Sequence, residues 1–115
     1  MVVVKEPVYE GTEDLRLMRL AGAGDCRARR VLAHRLAGRV RRIAQRLLQN
    51  STEADDASQT ALIEILKSAS SFNGDSSIER WSDRIAVRTV IRHAREQRRR
   101  PSHPWVYKVD TESLA

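Results

Sequence analysis

The chain has a single cysteine, Cys26, so no internal disulfide can form, which argues against a disulfide-stapled secreted scaffold and for a reducing, cytoplasmic setting. No apolar run approaches the roughly 18 residues a membrane-spanning helix needs. The opening MVVVKEPVYEG is not a signal peptide, because its apolar run is short and acidic residues follow at once. Aromatic residues make up only 4% of the 115 residues, and β-branched runs are scarce outside Val2–Val4, so little favours strands. Catalytic chemistry is equally thin. His34, His93 and His103 lie far apart, no Cys/His or acidic cluster has metal-ligand spacing, and Cys26 has no base beside it in sequence. AGAGD lacks the strand context and the lysine of a phosphate-binding loop. The expectation is a protein that is not an enzyme and that uses neither metal nor cofactor.

What is abundant is arginine. The formal net charge is +6, and 18 of the 21 basic residues are Arg, the side chain that forks onto phosphates and stacks on bases. The charge is unevenly spread. Residues 25–50 hold 8 basic against 1 acidic residue, residues 76–100 hold 8 against 3, and residues 52–67 between them hold 1 against 4. Two basic segments flanking an acidic one imply two kinds of surface, although charge alone does not choose between nucleic acid, acidic protein and anionic membrane.

The periodicity predicts an all-α fold, a compact bundle of about four helices. Residues 1–11 read as an irregular N-terminal segment, 12–100 as the helical domain and 101–115 as a linker in which Trp105 has a chance to pack. A first helix over 13–21, capped by Thr12, ends at Gly22 and Gly24. Asp25 caps a second helix running to about 49, with Leu32, Leu36, Val40, Ile43, Ala44 and Leu47 at three- and four-residue spacing and a separate stripe of Arg35, Arg39, Arg42 and Arg46. A third helix over 53–67, capped from Asn50 or Thr52, has a core face of Ala54, Ala57, Ala61, Leu62, Ile65 and Leu66. SASSFNGDS then has loop chemistry, and Ser76 with Glu79 forms a capping box for a fourth helix over 77–98. In that helix Ile78, Trp81 and Ile85 fall on one side and Val87, Val90 and Ala94 on nearly the opposite one, which predicts packing first on one side and then on another.

Three constellations are candidates for function. Arg80, Arg84, Arg88, Arg92, Arg95 and Arg99 form a basic edge about 28 Å long on the fourth helix, able to follow a DNA backbone or to enter a groove. The alternative is a solvated face partly neutralised by Glu79, Asp83 and Glu96. The loop residues Phe72, Asn73, Asp75, Ser76 and Ser77 offer a stacking ring and edge-reading polar groups, which would suit one unstacked base, or form an ordinary capping loop whose Phe72 plugs the core. Asp56, Gln59 and Ile63 share an outward sector of the third helix, either a protein interface or a chance exposed Ile.

Taken in order, these segments resemble one family. ADDASQTALIEIL is similar to the acidic helix motif of bacterial sigma factors. SFNGDSSIERWSDRIAVRTVIRHAREQRRRP resembles the segment in which Phe-x-Gly-Asp-Ser precedes a Trp, then Arg-Ile-Ala and a basic helix ending in Pro. The upstream AGAGD to RIAQRLL resembles the family's first conserved region, so the likeness spans about residues 15–101. It implies region two of a sigma-70-family factor of the extracytoplasmic-function group. Such a domain docks on the β′ clamp helices of core RNA polymerase and opens the minus-ten element of promoter DNA by capturing its non-template strand.

The resemblance puts polymerase docking on Asp56 and Gln59, to which the outward face adds Ile63. It puts base capture on the loop Phe72–Ser76, the frame of the melting helix on Trp81, Arg84 and Ile85, and reading of the upstream edge on Arg88 and Arg92. The rest of the basic edge, Arg80 and Arg95 included, would engage DNA as well. An anti-sigma factor is a further partner open to such a domain. The chain departs from the family pattern at Thr60, where an acidic residue is usual, and at Leu62 and Leu66, where aromatics are. The family's second domain, a helix-turn-helix, is not in the sequence, so the chain reads as a fragment. The rival readings are a generic basic helical nucleic-acid-binding module and an adaptor for an acidic protein, neither with a polymerase partner.

Overall fold

The computed structural model describes residues 13–99, and within them there are four helices, one 3-10 turn and no strand. Helix α1 covers residues 13–22, α2 Cys26–Leu47, α3 Ser51–Lys67 and α4 Ile78–Arg99, with the 3-10 turn at Ala69–Ser71. The N-terminal segment, the Thr12 cap and the 101–115 linker with Trp105 lie outside the described residues.

The starts of α2, α3 and α4 are each set by a side-chain cap. Asp25 Oδ1 accepts from the Ala28 N–H at 2.8 Å and Asn50 Oδ1 from the Glu53 N–H at 2.8 Å, so α3 begins at Ser51, two residues earlier than expected. At α4 the cap is Ser77, whose Oγ accepts from the Arg80 N–H at 3.1 Å, and not Ser76. The capping box fails because Glu79 faces α2 instead of reaching back. Between α1 and α2 the turn is tight: the Asp25 N–H donates to Leu20 O and the Gly24 N–H to Ala21 O, the paired bonds that close a helix C-terminus. Arg29 of α2 donates through Nε to Ala21 O as well, covering one of the last carbonyls of α1.

The core runs through all four helices. Met18, Leu32, Leu36, Val40, Ile65, Ile78 and Val90 are fully or almost fully buried. The α3 stripe is mostly small, with Ala54, Ala57 and Ala61 at 0% exposure, which lets α2 and α4 approach it closely on either side. Gly22 serves the same end on α1, since a Cβ there would lie 2.6 Å from the backbone N of Ser70 in the 3-10 turn.

The two-sided packing expected of α4 is not observed. Its buried residues are Ile78, Ser82, Ile85, Ala86, Thr89, Val90 and Ala94, a single stripe at three- and four-residue spacing, while Val87 is 39% exposed and Trp81 only half-buried. Ser82 and Thr89 complete the stripe, and a reading that counts only apolar residues leaves them out. Ser82 Oγ donates to Glu79 O at 3.0 Å, which makes its hydroxyl tolerable in the core.

Candidate nucleic-acid interface

Helices α2 and α4 run parallel, and a ladder of ion pairs sets their register. Arg35 of α2 grips two carboxylates at once, Asp14 of α1 at 3.0 Å and Glu79 of α4 at 2.9 Å. One turn further on, Arg39 forks onto Asp83 with bonds of 2.7 and 2.9 Å. The hydrogen bond from Arg35 holds the Glu79 carboxyl below its ordinary range, and the bonds that Arg35 donates to Asp14 and Glu79 raise its guanidinium further above its own. Because Glu79 titrates lower when folded, its contribution is complete above the unfolded carboxylate value of about 4.3 and is lost as pH falls through the lower folded value. Thermal melts from pH 6 down to pH 3 should therefore show falling stability, with a smaller fall in Glu79→Gln.

The ladder changes the reading of the basic edge. Of the three acidic residues that the solvated-face alternative set against the edge, Glu79 and Asp83 are engaged by α2, while Glu96 is exposed and in no ion pair among the described residues. Arg80, Arg84, Arg88, Arg92, Arg95 and Arg99 are all exposed, and among the described residues none of them forms an ion pair. Among the described residues the edge is therefore a row of cations outside any ion pair.

Beside it lies a groove of about 440 Å³ between α3 and α4, lined by Glu64, Ser68 and Ser71 on one wall and by Trp81, Arg84, Ile85, Arg88, Thr89 and Arg92 on the other. Trp81 gives the groove an aromatic surface, and the wall on the α3 side adds two hydroxyls and a carboxylate. Phe72 is half-buried, packs on the core and meets Trp81 edge to face with ring centroids 5.6 Å apart. It thus backs the indole while helping to close the core, as the core-plug alternative has it, and it does not itself line the groove.

Of the expected loop residues, Asn73, Asp75 and Ser76 do not line the groove. Asn73 Oδ1 accepts from the Asp75 N–H at 3.1 Å, so that side chain shapes the loop. Gly74 at its tip has φ +87° and leaves room for Leu15 of α1. Arg84, Arg88 and Arg92 meet at the groove, whereas Arg80 and Arg95 are not among its lining. Sequence reasoning missed Glu64, Ser68 and Ser71. The only available signal was their spacing along the end of α3 and the turn after it, which has no meaning until α4 is placed alongside.

The Asp56, Gln59 and Ile63 face is open. All three are exposed, Ile63 at 54%, and they lie on the side of α3 away from its alanine stripe. Thr60 Oγ1 donates to Asp56 O at 3.1 Å and so stays tied to its own helix.

The profile of sigma-70 region 2 matches residues 32–100, which takes in most of α2 and all of α3 and α4. The chain belongs to that family, as its region 2. It is 30% identical over 100 residues to the RNA polymerase sigma-H factor of Pseudomonas aeruginosa, covering 87% of this chain and 52% of that protein. It is 31% identical over 91 residues to the ECF RNA polymerase sigma factor SigM of Mycobacterium tuberculosis, covering 79% of this chain and 46% of the relative. Within the family the second likeness is to the extracytoplasmic-function group, as the resemblance of the sequence implied. The chain spans about half the length of the curated relatives it matches. No solved structure matches it at a significant level.

Proposed function

We propose that this domain acts in transcription initiation as the promoter-opening part of a sigma factor, binding core RNA polymerase through α3 and the minus-ten element through α4 and the groove beside it. The observation that carries the reading is the row of unpaired guanidiniums on α4 bordering a groove with an aromatic wall. Free cations supply the sequence-independent attraction to phosphate, and the indole offers a stacking surface that a base can use only once it has left the duplex. Arg84, Arg88 and Arg92 hold the backbone at the groove, and Trp81, supported by Phe72, stacks an unpaired base of the non-template strand. Asn73, Asp75 and Ser76 shape the loop at the entrance. Asp56, Gln59 and Ile63 form the face for the β′ clamp helices, a small aliphatic centre with polar neighbours.

The test joins the two partners. Asp56→Arg should abolish capture of core polymerase by the chain while its melting temperature and its DNA binding stay unchanged, because the side chain is exposed and remote from the groove. In the same assays the unaltered chain should prefer a single strand bearing a minus-ten-like sequence to random single strands. Equal binding to both strands, with no polymerase capture, would mark a generic basic module.

A further inference from the structure

The parallel register of α2 and α4 leaves part of the α2 arginine stripe without partners. Arg35 meets Glu79 and Arg39 meets Asp83, each pair 44 residues apart. The same offset sets the next turns of α2, bearing Arg42, Ile43 and Arg46, against α4 around Ala86, Val87 and Val90, and α4 has no acidic residue between Asp83 and Glu96. Arg42 and Arg46 are exposed, and among the described residues neither forms an ion pair. Together with Ile43 and the Arg39–Asp83 pair they line a second cleft, of about 230 Å³, on the α2 side of α4. The outer face of α4, with Val87 39% and Ile91 38% exposed, thus lies between two sets of free guanidiniums: Arg84, Arg88 and Arg92 toward α3, and Arg42 and Arg46 on α2.

We infer that Arg42 and Arg46 form a second phosphodiester site, which holds one backbone of double-stranded DNA while the α4 arginines hold the other. The inference rests on the nucleic-acid reading of α4. The dimensions favour a duplex. A helix with its side chains is about 10–12 Å across and the major groove about 12 Å wide, so α4 fits between two backbones. A neighbouring helix packed about 8–10 Å away would lie over one of them, and the Arg35–Glu79 and Arg39–Asp83 pairs set α2 alongside α4. A duplex presents two backbones at once at this spacing, whereas a single strand must bend around α4 to reach both sides. The Arg39–Asp83 pair, already satisfied, leaves Arg42 and Arg46 as the guanidiniums of the cleft open to a phosphate, with Ile43 beside them.

The test measures affinity against salt for the full chain with three probes: a duplex, a minus-ten-like single strand and a polyglutamate peptide. In Arg42→Gln/Arg46→Gln the duplex salt slope should become shallower by about two units, with a loss of about 50-fold at 0.1 M salt, given a slope of about 0.9 per phosphate contact. Single-strand binding should stay within about twofold, Arg42→Lys/Arg46→Lys should keep the slope, and thermal melts should not move because both side chains are exposed. An unchanged duplex slope, an equal loss on duplex and single strand, or a loss confined to the acidic peptide overturns the inference, the last in favour of a protein partner. The preference of the unaltered chain among single strands reports separately on the base-capture reading. That preference can fail while the duplex effect holds, or hold while the duplex effect fails.

Discussion

Replacing Arg84, Arg88 and Arg92 together with Gln should weaken binding to a fork that joins duplex to open strand by about 10²–10³-fold at 0.1 M salt and make the salt slope shallower by nearly three units. The size follows from the absence of internal partners. None of the three guanidiniums must leave an ion pair before it meets a phosphate, and all three border one groove. For the same reason the triple variant should keep its melting temperature. Arg35→Gln is the contrasting control. Its guanidinium joins α1, α2 and α4 through Asp14 and Glu79, so removing it should lower stability while leaving the salt slope almost unaltered. A triple variant that binds as before would show that the groove edge is only a solvated face.

The second large effect is expected at the aromatic pair, where stability and base preference should separate. Trp81→Ala removes the stacking wall of the groove and should cost about 1–3 kcal/mol of binding, seen only with DNA whose strand is able to open. Phe72→Ala should act mainly on the fold. Complete burial would put its cost at about 3–5 kcal/mol, and a half-buried ring with one edge-to-face neighbour should lose about 2 kcal/mol. Base preference should weaken in Phe72→Ala only as far as Trp81 loses its support, so Phe72→Leu, which keeps the apolar volume, should restore most of both. Melts run beside strand-binding curves for the three variants check this. Full base preference in Trp81→Ala would move the stacking site away from the groove.

Local physics left its marks in the sequence. Asp25 and Asn50 accept from the third residue beyond them whatever the rest of the chain does, so the starts of α2 and α3 were legible to within two residues. The alanine stripe of α3 and the Leu32, Leu36, Val40 stripe of α2 were legible as well, because a helix that must bury one face repeats its apolar residues at three and four. The exposed Asp56, Gln59 and Ile63 followed as the far side of the same stripe. Where the code is less strict the reading slipped. Two caps were available before α4, and the choice of Ser77 over Ser76 depended on Glu79 being drawn to Arg35. In α4 itself, Ser82 and Thr89 occupy core positions that an apolar count passes over.

The sequence by itself determined the helices, most of their buried faces, the likeness to sigma-70 region 2 and the presence of an arginine edge, since each depends on residues a few positions apart or on a local pattern. Only the tertiary structure decided which arginines are free. Charges on one helix are compensated by whatever the packing sets beside them, and the register of α2 against α4 takes up Arg35 and Arg39 while leaving Arg42, Arg46 and the α4 edge without partners. The groove likewise exists only where the end of α3 and the turn after it, with Ser68 and Ser71, come alongside Trp81 and the arginines of α4. A cavity is a relation between surfaces distant in sequence, which no local pattern encodes.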